Sequence, residues 1–440
     1  MAAAAARFDD TSNTAGPFIK FGNLVGDSWT GSILFMTRND TTPPSAKLYV
    51  RSNPSSSVRR RLEPKILDTC HGWRFWRFEV AVTLCPEETA VDYEVTATGL
   101  VKKATFWVQA SGKPFHVGYT SCNGISLSIP AGHYARQDPT YCWRDIVQVH
   151  ARIPIHVLIG GGDQVYSDAV WKKEAFVAWG DLHKYDKPVA PWTQEHQEQA
   201  TAFYLNNYID SFTMPVVSDV YACLPSYFVW DDHDVFDGFG SYSKGLQGSE
   251  FFSRLFAVAR RFYLLFQLHT TEEIATANEQ LEWIDKDKSD GYHSVKYVLS
   301  GVRIACPDTE SSLSLVGWSV ARRSLGPQIA AIGIDMRSKR TKHRIIPEST
   351  YRIIEEQMLG LPDHVEHVVV LSGVPVVFPT IWMSESILFG MLALVKRSAV
   401  LRRFGRRIGL LDRFDQPVRS LSFASTLSRS SHLGWVPTNL

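Results

Sequence analysis

Between residues 17 and 111 apolar and polar positions alternate in short runs, SILFMTR, AKLYVRS, GWRFWRFEVAVTL and VDYEVTATG, broken by the turn clusters NDTTPPS, NPSSS and CPEET. A period of two marks strands with one buried face, and frequent turn clusters mark a small sandwich. Trp73, Phe75, Trp76 and Phe78 lie in one such run and read as sheet packing, because aromatics in strands mostly bury area. The pattern changes near residue 115. Apolar strands now end in small or acidic residues: FHVGYTSCNG, IPIHVLIGGGDQVYSD, LPSYFVWDDHD, IAAIGIDMRS and VEHVVVLSGVP. Helix-period segments lie between them, at 193–213, at 249–268 and at 349–360, the last opening on Ser349 after Pro347. The chain is therefore expected to be α/β. A β-sandwich of immunoglobulin or fibronectin type over 17–112 precedes a layered domain over 115–415, whose sites gather at the carboxyl ends of its strands. The polar segment 270–293 reads as an insertion or surface helix. Residues 416–440 lose periodicity, become Ser-rich and basic, and read as an irregular tail.

Composition narrows the class. Apolar residues make up 45% of the 440 and charged residues 21%, which is a folded globular chain. Lys plus Arg (46) balances Asp plus Glu (45), so whole-chain charge points to no polyanion and no nucleic-acid partner is expected. The six cysteines are scattered without a CxxC, and MAAAAARFDD lacks the basic start and apolar core of a secretory signal. A reduced, cytoplasmic setting follows. The apolar run 387–395, ILFGMLALV, is about half of the roughly 20 residues a bilayer needs, so no transmembrane segment is expected. With the basic stretch KRSAVLRRFGRR (396–407) beside it, 387–407 is a candidate for peripheral membrane contact, although a solvated helix face is the commoner outcome.

Candidate chemistry sits in two places. VWDDHDVFDG (229–238) brings four acids and a histidine to the end of a core strand, where charge is costly unless it is paired or holds a metal. Such a loop offers oxygen ligands for hard cations and an imidazole for metal or proton work, while Asp231 or Asp234 could also simply cap a helix. In IHVLIGGGDQVYSD, glycines let the backbone turn sharply and Asp163 can point into a crevice; alone, GGGD reads first as a tight turn capped by Asp.

Together, SCNG (121–124), GGDQVYSD (161–168), WDDHDVFDGFGSY (230–242), IDMRSKRT (334–341) and LSGVPVVFP (371–379) resemble the PhoD-like branch of the metallophosphoesterases, in its fungal and plant-type form. The resemblance runs from about residue 17 to 415. It implies an αββα layered fold behind the N-terminal sandwich and hydrolysis of phosphoric mono- or diesters. Two metal ions are implied, iron with a divalent ion such as calcium, zinc or manganese, and the implied partner is a phosphorylated small molecule or phosphodiester. Asp163 is then the carboxylate bridging the metals, while Cys122, Tyr166 and Asp232 are further ligands. His233 contacts the phosphate or protonates the leaving group. Asn123, beside Cys122, and Arg337 and Arg340 are substrate-binding candidates, the arginines as a phosphate clamp or, alternatively, as partners of nearby acids. Outside the resemblance, Cys122 would read as a small buried hydrophobe and Tyr166 as a packed aromatic.

The resemblance also implies late histidines, and after His367 only His432 remains. Gly180-Asp181-Leu182-His183 has suitable letters but precedes WDDHD, and it reads as a surface helix end. The expectation is a C-terminally incomplete domain, ended by truncation or by an altered frame or splice. The alternative function is a catalytically inactive phosphatase-like scaffold or binding protein.

Overall fold

The computed structural model describes residues 13–25, 27–51, 58–124, 138–277, 281–282, 298–299, 320–326, 329–361, 365 and 367–374. The 387–407 stretch, the 416–440 tail, His432 and most of 278–293 lie outside the described residues. The structure is mixed α/β with several sheets. Alternating segments of the first hundred residues form β1 (Thr14–Val25), β2 (Ser28–Arg38), β3 (Ser45–Val50), β4 (Val58–Leu62), β5 (Pro64–Cys70), β6 (Trp73–Thr83), β7 (Thr89–Ala97) and β8 (Leu100–Val108). The later strands are β9 (Val117–Thr120), β10 (Val157–Gly160), β11 (Ser226–Phe228), the two-residue pair β12 (Leu281–Glu282) and β13 (Val298–Leu299), β14 (Val320–Gly326), β15 (Ile329–Ile334) and β16 (His367–Ser372).

A seven-stranded sheet runs in the order β5-β6-β2-β1-β11-β10-β9. Its β1, β2, β5 and β6 pair antiparallel, whereas β1 with β11, β11 with β10 and β10 with β9 pair parallel. One ladder therefore crosses the boundary expected between 112 and 115. Two smaller sheets, β4-β3-β7-β8 and β14-β15-β16, cover one face of it. The core between them joins Ile33, Phe35, Trp76, Phe78, Val157, Ile159 and Tyr227 of the large sheet to Leu48, Val91 and Phe106 on one side and Ala331 and Leu371 on the other. Helices Gln194–Phe212 and Glu250–Leu268 bury the opposite face against Phe18, Leu34, Met36, Phe75, Leu158 and Phe228. Because both faces are covered, β6 carries aromatics of both parities: Trp73 and Phe75 pack on helices, Trp76 and Phe78 between sheets. Helix Glu348–Leu359 closes the outer face of β15 through Tyr351 and Ile354.

Each long helix begins where its sequence provides an acceptor. Thr193 takes the His196 N–H while the His196 ring takes the Thr193 N–H, and the Ser249 hydroxyl takes Phe252 N at 3.2 Å. Gly333 lets β15 approach β11: a methyl there would lie 2.6 Å from the Tyr227 hydroxyl and 2.7 Å from a Val229 methyl. The bare glycine thus lets the strand before Arg337 lie close against β11. GDLH is the exposed end of helix Glu174–Asp181.

Candidate metal centre and phosphate pocket

Every expected site residue follows the carboxyl end of a strand. Cys122 and Asn123 follow β9, Asp163 and Tyr166 follow β10, Asp231 to His233 follow β11, and Arg337 and Arg340 follow β15. β9, β10 and β11 are parallel, as are β15 and β16, so these ends converge. The turn after β10 needs its glycine. Gly162 has φ +112° and a methyl there would lie 2.5 Å from Asp231 Cβ; Asp163 follows at φ +56° and Cys122 sits at +58°. Two non-glycine residues in the left-handed region, facing each other, are backbone strain of the kind that collects at functional sites, roughly 1–2 kcal/mol each.

Asp163, Asp232 and His233 bring one ligand atom each within 4.8 Å of one another. Cys122 Sγ lies 3.5 Å from Asp163 Oδ2, and His233 N donates to Asp163 Oδ1 at 3.2 Å. The Tyr166 ring lies tilted against the His233 ring, centroids 4.4 Å apart, and packs where Gly124 leaves room: a methyl there would be 2.5 Å from its Cε2. Burial, with Asp231, Asp234 and Asp232 nearby, pushes the Asp163 carboxyl up to about 8. Burial also raises the Cys122 thiol and the Tyr166 phenol, the latter further against Asp163. Such a group of acids stays ionised at neutral pH only with cations among them, so the donor set fits a metal site.

His233 Nδ1 is bonded to Asp168 Oδ2 at 2.7 Å, leaving Nε2 3.9 Å from Asp237 Oδ1. Burial works against protonation of His233, but the Asp168 bond and charge outweigh it and bring the imidazole up to about 9. Asp168 also accepts Asp237 N at 2.7 Å. The Arg337 guanidinium is buried and donates to Asp231, to Asp232 Oδ1 at 3.0 Å and to Phe239 O at 3.2 Å. Asp335 caps the turn that delivers it, accepting Arg337 N, Ser338 N and the Trp230 indole. Arg340 donates to the Ser241 hydroxyl at 3.1 Å and packs on Gly240, with its Nη1 buried and unbonded among the described residues. Burial and the neighbouring Arg337 bring Arg340 down to about 10, still cationic at neutral pH.

A family model for PhoD related phosphatase matches residues 91–316 and 312–404. The chain belongs to the PhoD related phosphatase family. A curated relative, uncharacterized protein YGR266W of Saccharomyces cerevisiae, is 27% identical over 92% of this chain, and the chain spans 62% of that protein's length. Among solved structures, PhoD overlays with a TM-score of 0.34 at 12% identity, covering 75% of this chain and 53% of that one. Purple acid phosphatase PPD1 from Lupinus luteus overlays at 0.42 and 11% identity, covering 84% and 52%.

Within this PhoD-related chain, the residues expected to act together do lie together, with one distinction. Asn123 and Arg337 arrive at the site already bonded. Asn123 Oδ1 accepts the Trp143 indole at 2.8 Å and its Nδ2 donates to Gln164 O at 3.2 Å, while Arg337 is held by two carboxylates and a carbonyl. Arg340 has the donor to spare. Sequence reasoning passed over Asp168 and Asp234. Asp168 stands inside the quoted GGDQVYSD and its acid was a signal; Asp234 was weighed only as a helix cap.

Proposed function

We propose that this chain hydrolyses phosphoric esters at a two-metal site formed by Cys122, Asp163, Tyr166 and Asp232, with His233 and Arg340 acting on the phosphoryl group. The observation that supports it most is the meeting of Asp163, Asp232 and His233 within 4.8 Å, beside Cys122, at the ends of three parallel strands. Asp163, whose carboxylate contacts Cys122 Sγ and His233 N, would hold the cations together with Cys122, Tyr166 and Asp232; a thiolate and a phenolate would suit iron, and Asp232 a divalent ion such as calcium, zinc or manganese. Bound there, the cations would neutralise phosphoryl oxygens and lower the pKa of water.

The protein's own groups supply the rest. Arg340 Nη1 donates to a phosphoryl oxygen, and Asn123 keeps the Cys122 loop against Gln164. Water gives up a proton to solvent and adds to phosphorus as the bond to the alcohol oxygen breaks, and His233 gives its Nε2 proton to that oxygen and regains one from solvent. Asp168 keeps the Nδ1 proton in place and stabilises the cationic ring that makes Nε2–H a donor. The strands of 17–112 serve as a sandwich module whose β1 is shared with the catalytic sheet.

A second reading, a phosphatase-like binding protein without turnover, draws support from Asp232. Its Oδ2 accepts Gly238 N at 2.7 Å and its Oδ1 accepts Arg337, so a fixed cation already serves this carboxylate. Turnover of p-nitrophenyl phosphate and bis(p-nitrophenyl) phosphate by wild type and His233→Asn separates the two. Metal-dependent turnover that falls by about a hundred-fold or more in the variant supports hydrolysis. Absence of turnover with metal bound supports the binding protein.

A further inference from the structure

Asp234 is fully buried, and its carboxylate receives four N–H groups from three parts of the chain. Oδ2 accepts Asp163 N at 2.8 Å and Asp231 N at 2.9 Å, while Oδ1 accepts the Gln267 side-chain amide at 2.8 Å and Val165 N at 3.3 Å. Asp163 and Val165 belong to the loop after β10, Asp231 to the loop after β11, and Gln267 to the last turn of helix Glu250–Leu268. No basic side chain is among these partners. The same two loops are stitched again by Ser167 N on His233 O at 2.8 Å and Ser167 Oγ on Asp234 O at 3.4 Å. A buried carboxylate is costly even when partnered, and an apolar residue of similar size would commonly serve stability as well. The return on that cost here is geometric, because one oxygen atom fixes two backbone amides at once.

We propose that Asp234 is the positioning residue of this site: a single carboxylate oxygen sets the distance between the Asp163 loop and the Asp231-Asp232-His233 loop, and so sets the affinity of the centre for cations. The left-handed backbone of Asp163 needs such an anchor, since its N–H points to Asp234 rather than into a sheet ladder. The part of this inference that concerns cations rests on the metal-site reading above; the part that concerns the loops stands apart from it. Gln267 makes the two separable. Its Oε1 has no hydrogen-bond partner among the described residues, so in Asp234→Asn the glutamine amide can turn and accept from Asn Nδ2, while the remaining Asn oxygen keeps Asp163 N and Asp231 N. Among the three backbone amides only Val165 N then loses its acceptor; the turned Gln267 Nε2 also leaves Asp234 and the Tyr208 hydroxyl. Asp234→Ala removes all four bonds.

The test is residue-resolved amide hydrogen exchange on the metal-free full chain, with Mn²⁺ titration alongside. In Asp234→Ala the Asp163, Val165 and Asp231 amides are expected to exchange at least about ten-fold faster together, with Mn²⁺ affinity lowered about 10–100-fold, the usual effect of losing a ligand-orienting partner. In Asp234→Asn only Val165 should accelerate, and Mn²⁺ affinity should stay within a few-fold of wild type. Unchanged exchange in Asp234→Ala, or equal effects of the two variants, would overturn the inference. Should Asp234→Ala not fold, selective exposure of Val165 in Asp234→Asn still decides it. Wild type that takes up no Mn²⁺ would refute the metal reading, while the exchange pattern would still decide the loop clamp.

Discussion

At the scale of single residues, the two arginines expected to hold phosphate take different parts. Arg337 is a structural counter-charge: its guanidinium is spent on Asp231, Asp232 and Phe239 O. Arg340 has a buried Nη1 without a hydrogen-bond partner among the described residues and is the proposed clamp. Arg340→Ala is therefore expected to raise KM for a phosphoester about 10–100-fold, the usual loss for a hydrogen bond between charged groups, with melting temperature nearly unchanged. Arg337→Leu is expected to behave oppositely, costing about 3–5 kcal/mol in chemical denaturation by leaving two buried acids without their partner. WDDHD announced the site because four ionisable groups at a strand end need an explanation, and Asp232 and His233 were legible for that reason, whereas Asp163, in GGGD, stood out only through the resemblance of GGDQVYSD. What each acid does was not. Asp231 serves an arginine, Asp232 stands between Arg337 and Gly238, and Asp234 serves amides 69 and 71 residues away in sequence; such partners are fixed only by the tertiary fold.

Elements were more legible than roles. All five apolar runs expected as strands after residue 115 contain one, and the three expected helices fall within a residue or so of helices at Gln194–Phe212, Glu250–Leu268 and Glu348–Leu359. Periodicity and caps are local, and local signals survive in sequence. Helix Tyr141–Arg152 escaped notice because it has no side-chain cap, and it keeps only Trp143 buried. The pairing of β1 with β11 escaped too, since a single ladder contact, Lys20 with Ser226, joins segments two hundred residues apart. The close approach of β15 to β11 carries an element-scale prediction. Gly333→Val would press on Tyr227 and Val229 and is expected to cost about 1–3 kcal/mol in urea unfolding, lowering metal affinity as well because Arg337 moves with the strand. A destabilised variant that keeps wild-type metal affinity would show that the sheet separation does not govern the site.

For the whole molecule, one buried core between three sheets ties the N-terminal strands to the site-bearing ones, so stability should respond as a unit. Two buried histidines give that response a pH signature. Burial pushes His156 down to about 4 and holds His269 well below its ordinary value; Glu88, 3.3 Å from His156 Nε2, is 44% exposed and too well solvated to reverse this. At these two positions the folded state binds fewer protons than the unfolded state wherever a free histidine would titrate. Their contribution is fully present above about pH 6.5 and is lost as pH falls from there toward 4. As pH falls from 7 to 4.5, wild type is expected to lose melting temperature relative to His156→Gln; a constant difference between the two would contradict this.

Among the described residues no helix is long and apolar enough to cross a membrane. The most direct test of the account is the metal content of the purified 440-residue chain beside its Asp163→Asn variant. The account predicts about two ions per wild-type chain, lost in the variant together with phosphoester turnover. Fewer than one ion per chain, unchanged by the substitution, would contradict it.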